Sequence, residues 1–220
     1  MQQPFLQKIL TGKVRTIGEA HATNPMDKQW ETGMFKHEVN EPIWLSKTGL
    51  VGDEVADTKN HGGLEKAIFA YPIEHYDYWR EDLPIDTIGI GAMGENLAVK
   101  NMEEASVCIG DIYQLGETVI QVSQPRKPCW KPGRRYFVPD FVLRIKNTGR
   151  TGWYYRVLQE GEVKAGLELT LVERPVPKWT IAACNDVLNV YKDDLDAARE
   201  LVDCELLADA WKHSLKKRLK

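Results

Sequence analysis

The stretch Asp111-Ile112-Tyr113-Gln114-Leu115-Gly116-Glu117-Thr118-Val119-Ile120-Gln121-Val122-Ser123-Gln124-Pro125-Arg126-Lys127-Pro128-Cys129-Trp130-Lys131-Pro132-Gly133-Arg134-Arg135 reads as two β-prone runs followed by an irregular cationic loop. Asp111 to Leu115 and Thr118 to Ser123 are rich in β-branched and aromatic side chains, with Gly116 as the break between them. Pro125, Pro128 and Pro132 then exclude a regular helix around Cys129 and argue against a central strand there.

Further short runs of the same kind lie on either side: Lys13 to Ile17, Pro42 to Ser46, Glu65 to Tyr71, Asn96 to Val99, Trp153 to Leu158 and Leu167 to Val172. Each is closed by Gly, Pro, Asn or Asp, and strands at such intervals predict a barrel or sandwich. Two helices interrupt the series. Ile73 to Arg80 follows Pro72 and has Tyr76 and Trp79 on its apolar face; the other follows Pro139 and has Phe141, Val142 and Ile145. Arg174-Pro175-Val176-Pro177 is a stiff connector. Beyond it Thr180 caps a helix with Ile181, Cys184, Val187, Leu188 and Tyr191 on its apolar face. A second helix carries Leu195, Ala198, Leu201 and Val202, and a third Leu206, Leu207, Ala210, Trp211 and Leu215. The expected fold is therefore mostly β with some α: a β-barrel domain over 1–177 and a C-terminal three-helix segment over 178–220.

The 220 residues suffice for one large core without disulfide staples. No apolar run approaches a membrane span and no charged leader precedes an apolar segment, so a cytoplasmic protein with reduced thiols is expected and no membrane partner. A net charge of −3, and seven acidic against two basic residues over 192–209, oppose a nucleic-acid partner.

Cys129 is the first candidate for chemistry. Five basic residues and no acid lie between Thr118 and Pro139, and cations stabilise the thiolate that attacks or binds metal. On these residues alone a buried or idle thiol is the alternative. Cys108 and Cys184 read as small core hydrophobes, Cys204 is not placed, and no pair has C-x-x-C spacing. In His61-Gly62-Gly63-Leu64-Glu65-Lys66 two glycines let backbone amides approach an anion and Lys66 adds a charge; a plain turn is the alternative. Gly89-Ile90-Gly91-Ala92-Met93-Gly94 matches the dinucleotide fingerprint in letters but precedes a β-like segment, so it reads as a loop placing Asn96. Gly52-Asp53-Glu54 and Gly110-Asp111 read as tight turns. His21, His37 and His75 lack metal-ligand spacing, and His213 lies in a basic, solvated tail.

In order along the chain, Gly49-Leu50-Val51-Gly52-Asp53, Ala56-Asp57, His61-Gly62-Gly63, Lys66-Ala67, His75-Tyr76 and Gly94-Glu95-Asn96-Leu97 resemble MOSC-domain proteins. Ile109-Gly110-Asp111, Gln124-Pro125-Arg126-Lys127-Pro128-Cys129-Trp130 and Gly152-Trp153-Tyr154-Tyr155-Arg156-Val157-Leu158 continue the likeness, and 178–220 is similar to the helical segment of the YiiM-type subgroup. The resemblance implies a barrel related to that of pyruvate kinases and a molybdenum cofactor (molybdopterin). It also implies reduction of N-hydroxylated compounds, including N-hydroxylated purine bases in detoxification, with electrons from a partner reductase. It makes Cys129 the metal ligand, and His61, Lys66, Asn96, Arg126 and Arg156 the cofactor pocket. His61 is the proton-donor candidate, since imidazoles as a class change charge near neutrality. A pyridoxal-phosphate domain is not written in these residues, so that cofactor is not expected. Two other readings use the same residues: a sulfur carrier with a persulfide on Cys129, and a non-catalytic protein whose C-terminal helices bind a partner.

Overall fold

The computed structural model describes residues 2–83 and 85–219. The strands paired around the barrel are β1 (Phe5–Thr11), β4 (His37–Val39), β7 (Ile68–Pro72), β8 (Leu97–Lys100), β9 (Ile112–Leu115), β10 (Thr118–Pro125), β11 (Trp153–Gln159) and β13 (Leu169–Glu173). Their order is β13-β9-β10-β11-β7-β8-β1-β4, antiparallel except for the β7–β8 pair. The sheet curls until the start of β13 reaches β1, the strand next to its other end: Leu6 N–H donates to Leu167 O (2.9 Å), Gly166 N–H to Leu6 O (2.7 Å) and Leu169 N–H to Pro4 O (3.0 Å). These bonds cover the start of the β13 edge with β1 and shorten the edge a flat sheet would leave open. Two smaller sheets flank the barrel, β12 (Gly161–Val163) with β5 (Ile43–Ser46) and β6 (Gly49–Leu50), and β2 (Arg15–Ile17) with β3 (Trp30–Thr32).

Alternation along the strands divides the interior into two cores. Ile68 and Ala70 of β7 and Trp153, Tyr155 and Val157 of β11 point into the barrel with Leu6, Leu97, Ile120 and Val122. Phe69, Tyr71 and Tyr154 point the other way, against α1 (His75–Asp82) and α3 (Phe141–Thr148). Trp79 of α1 and Phe141 of α3 meet edge to face at 5.1 Å, and Trp79 Nε1 donates to Tyr71 Oη at 2.6 Å.

The C-terminal helices are α4 (Ile181–Asn189), α5 (Leu195–Asp203) and α6 (Asp209–Lys216). Thr180 caps α4 by accepting from Ala183 N–H, and Asp194 caps α5 by accepting from Ala197 N–H. Their apolar faces are continuous with the barrel core, where Ile181, Cys184, Leu201, Trp211 and Leu215 are fully buried. Ile109 N–H to Trp179 O, Ile181 N–H to Val107 O and Ala208 N–H to Ser123 O tie the segment to the barrel backbone.

Several expectations need correction. β1 and the short strands β3, β4, β6 and β12 were not among the runs read from sequence. Glu65 begins no strand: Leu64–Lys66 is a 3-10 turn ahead of β7. The central strand β10 extends into Pro125, whose missing N–H falls at the strand's end. A short helix α2 (Lys131–Tyr136) starts two residues after Cys129, with Pro132 in its first turn where no N–H is needed. Tyr191 lies past the end of α4 and is 59% exposed rather than on its apolar face. Cys108 and Cys184 are buried, as expected of core thiols, and Cys204 is half-buried against the same core.

Candidate functional site around Cys129

β10 delivers the chain through the centre of the sheet to the proline-bounded loop, and α2 returns it. Cys129 is held between them. The turn ahead of β7 brings His61, Gly62 and Lys66 opposite, Asn96 stands just before β8, and together they line a cleft that is open to solvent. The two glycines of the turn have φ of +74° and +82°, backbone that other residues rarely adopt.

Arg126 forms the wall beside Cys129. It is 3% exposed, its backbone N–H donates to Gly152 O at 3.0 Å, and its guanidinium lies 5.1 Å over the Phe69 ring. Nη2 is 4.0 Å from Cys129 Sγ, whereas Nη1 is buried without a hydrogen-bond partner among the described residues. No ion pair to Arg126 occurs among them either. A buried, unpaired guanidinium is costly unless a ligand completes it.

Burial alone would raise the Cys129 thiol. A hydrogen bond from His61, the Arg126 charge and the Lys131 backbone N–H outweigh it and bring the group down to about 7. His61 Nδ1 lies 3.3 Å from Tyr154 Oη. Burial pushes the Tyr154 phenol up to about 12, despite the opposing Arg126 charge, so it keeps its proton and can orient the imidazole. Lys66 donates to Asn60 O at 2.7 Å, and its burial lowers its pKa.

Asn96 is a strut. Its Nδ2 donates to Asp53 Oδ2 (2.8 Å) and Leu10 O (3.3 Å), and its Oδ1 accepts from Phe69 N–H (3.2 Å). Asp53 in turn accepts from Gly12 N–H at 2.8 Å and pairs with Lys36. The glycine-rich loop before Asn96 runs into a strand and not a helix, so it lacks the context of a dinucleotide fold.

The structure thus brings His61, Lys66, Asn96, Arg126 and Cys129 to one cleft. Arg156 lies outside its lining: Nη1 donates to Gln121 Oε1 (2.8 Å), Nη2 to Leu206 O (2.9 Å), and Nε to Glu65 Oε2 (3.1 Å). Its bonds link β11 to the 3-10 turn and to the segment before α6. Sequence reading did not select Tyr154, Lys36 or Asp53 for the site. Asp53 does sit in the expected turn, and Tyr154's outward position could have been found from the alternation of Trp153 and Tyr155.

The MOSC domain model matches residues 57–170, which contain Cys129, Arg126, His61, Lys66 and Asn96, and the YiiM-like, 3-alpha helix domain model matches 179–220. This chain belongs to the MOSC domain family. This MOSC chain is 34% identical over 212 residues to protein YiiM of Escherichia coli (strain K12), covering 96% of the chain and 90% of that protein. The crystal structure of YiiM from Geobacillus stearothermophilus superposes with a TM-score of 0.82 at 34% identity, covering 99% of this chain and all of the other. A protein of Gibberella moniliformis (strain M3125 / FGSC 7600) named reductase is 39% identical over 191 residues; the match covers 84% of this MOSC chain and 34% of that larger protein. Among the described residues, no helix is long and apolar enough to cross a membrane.

Proposed function

We propose that this chain is a molybdenum-cofactor-binding oxidoreductase that reduces N-hydroxylated compounds with electrons from a partner reductase. The observation that carries this reading is Arg126: a guanidinium 3% exposed, with a buried N–H lacking a partner, beside a thiol that ionises near neutrality. The residues fit the group. A soft thiolate suits molybdenum, and a guanidinium suits the phosphate of the pterin. Among the described residues no three His, Cys, Asp or Glu side chains converge as a metal site, which suits a metal whose remaining ligands come from its own cofactor.

Cys129 would ligate the metal through Sγ, and Arg126, Lys66 and the backbone of Gly62 would hold the anionic part. When bound, the cofactor supplies the two-electron oxygen-transfer chemistry that amino-acid side chains lack. The overall reaction breaks one N–O bond and consumes two electrons and two protons, leaving an amine and water. His61 would hold or deliver a proton at the cleft, with Tyr154 fixing its ring, while Asn96 and Asp53 would keep the cleft wall in register. MOSC membership and the reductase-named relative support this reading.

Elemental analysis and pterin fluorescence, on protein from cells that make the cofactor, test it. Near-stoichiometric molybdenum in wild type that is lost in Cys129→Ala is the expected result. No molybdenum in either protein, with a persulfide on wild-type Cys129, would replace the proposal with sulfur carriage on the same thiol.

A further inference from the structure

The 3-10 turn Leu64–Lys66 is anchored at two points, and both lead to one short stretch of the C-terminal segment. The Glu65 carboxylate accepts from Arg156 Nε (3.1 Å) and from Nη2, and Nη2 also donates to Leu206 O at 2.9 Å. The Glu65 carbonyl accepts from Ser123 Oγ at 2.6 Å, and the Ser123 carbonyl accepts in turn from Ala208 N–H at 3.0 Å. Arg156 Nη1 donates to Gln121 Oε1 at 2.8 Å, so each nitrogen of the guanidinium is occupied. The group is planar, and bonds on all three nitrogens fix its orientation as well as its place.

His61 rides on the loop that leads into this turn. Lys66 Nζ donates to Asn60 O at 2.7 Å and closes the loop on itself, and the His61 backbone N–H donates to Asp57 O at 2.9 Å. The opposite wall is held from the same direction. Lys127, two residues before Cys129, donates to Ser214 Oγ at 2.6 Å and Ala210 O at 3.2 Å. Imidazole and thiol are thus each fixed to residues 206–214 through groups that do not line the cleft. Stability does not call for the Arg156 clamp. The Glu65 side chain is 45% exposed, where an ion pair adds little, and the segment is already docked by Ile181, Leu201 and Trp211 in the shared core. Its consequence is geometric.

We infer that Arg156 is a positioning residue that acts through Glu65 to hold the His61 imidazole against Cys129, with residues 206–214 of the C-terminal segment as the frame that sets both. The inference goes beyond the reductase reading, because it concerns the imidazole and the thiol alone and holds for any chemistry at Cys129.

Nitrogen-15 spectra of the full chain labelled at histidine, at pH 7, test it, with His61→Gln identifying the His61 signals among the five histidines. Arg156→Gln should move both His61 ring nitrogens toward the values of a free imidazole and leave the other histidines in place. Arg156→Lys, which keeps a cation beside Glu65, should move them less. Alkylation of Cys129 by iodoacetamide at pH 7 should slow about threefold in Arg156→Gln, as the bond from His61 that favours the thiolate is loosened. In a His61→Gln background the same substitution should add nothing, since the two act in series. Ser123→Ala, which removes only the second anchor of Glu65, should move the His61 signals in the same direction and carries the test if Arg156→Gln does not fold. Unmoved His61 signals in a folded variant, a labelling rate that does not fall, or an equal fall in the His61→Gln background overturns the inference. Neither measurement uses molybdenum, so the positioning role can fail while the cofactor reading stands, and wild-type protein that never acquires the metal overturns the cofactor reading and leaves the positioning role.

Discussion

The thiol of Cys129 should react as a half-ionised nucleophile at neutral pH, and the size of that effect follows from the cleft. Its pKa falls from the ordinary 9.0 to about 7, although burial opposes the change. Two units correspond to about 3 kcal/mol of net preference for the thiolate. At pH 7 roughly half of the groups are ionised, against about 1% for an unshifted thiol, a gain of about fiftyfold in thiolate. A less basic sulfur is also a weaker nucleophile, which returns about eightfold over two units, so the net acceleration is about sixfold. The assay is iodoacetamide labelling between pH 5 and 10, with each cysteine quantified by peptide mass spectrometry. Cys129 should show a midpoint near 7, while buried Cys184, whose thiol desolvation pushes upward, stays unlabelled in the folded protein. Arg126→Gln removes the cation beside the sulfur and should lift the midpoint by about one unit. The same shift couples to stability. The unfolded chain binds more protons than the folded one between pH 7 and 9, so the Cys129 contribution is full above 9 and is lost as pH falls through 7. A Cys129 midpoint near 9, or one indifferent to Arg126→Gln, would refute the electrostatic account of the site.

Two further outcomes test the scaffold. Gly152→Ala should lower the melting temperature by about 10 °C, from a cost near 3 kcal/mol: φ is +68° and a Cβ would stand 2.4 Å from Ala70 O. Gly149→Ala, with φ +70° and open space around it, should cost only about 1 kcal/mol and serves as the matched control. Removal of 178–220 should leave a fragment with no cooperative unfolding transition by calorimetry. It would strip Trp179, Ile181, Leu201, Trp211 and Leu215 from the shared core, and at about 1.5–3 kcal/mol per large side chain their loss matches the whole stability of a typical domain. A soluble fragment 1–177 that melts cooperatively would show that the helices are an independent appendage.

The barrel was legible because its strands are β-prone runs and the breaks between them carry glycine, proline, asparagine or aspartate. β9, β10, β11 and β13 lie where β-prone runs were read, and Thr180 caps the helix it was expected to cap. β1 was missed because Phe5–Thr11 interleaves Gln7 and Lys8 with its apolar residues. Its register with β8 shifts between Leu6 and Lys8, so strict alternation fails at that point. β3, β4 and β6 are two or three residues long and owe their form to neighbours rather than to local preference.

The site divides along a similar line. Chain order shows five cations without an acid around Cys129 and so predicts a positive field, but it cannot show which buried cation is left without an ion-pair partner among the described residues. Folding decides that. Lys127 is occupied by Ala210 O and Ser214 Oγ, Arg134 by Met26 O and Lys28 O, and Arg135 by Gly91 O. Arg156, which the resemblance placed in the pocket on equal terms with Arg126, meets Glu65 from 91 residues away and is neutralised. Arg126 sits where the antiparallel β10–β11 pairing ends, its backbone taken by Gly152 and its side chain turned over Phe69 toward the sulfur. Its value to the site comes from having no ion-pair partner among the described residues, a property of three-dimensional neighbours that a motif does not spell. The same reasoning makes a variant decisive: a carboxylate introduced within reach of Arg126, as in Phe69→Glu, should pair with it, raise the Cys129 midpoint and abolish anion binding in the cleft. An unchanged labelling profile in a folded Phe69→Glu protein would mean that Arg126 is not the group that activates the thiol.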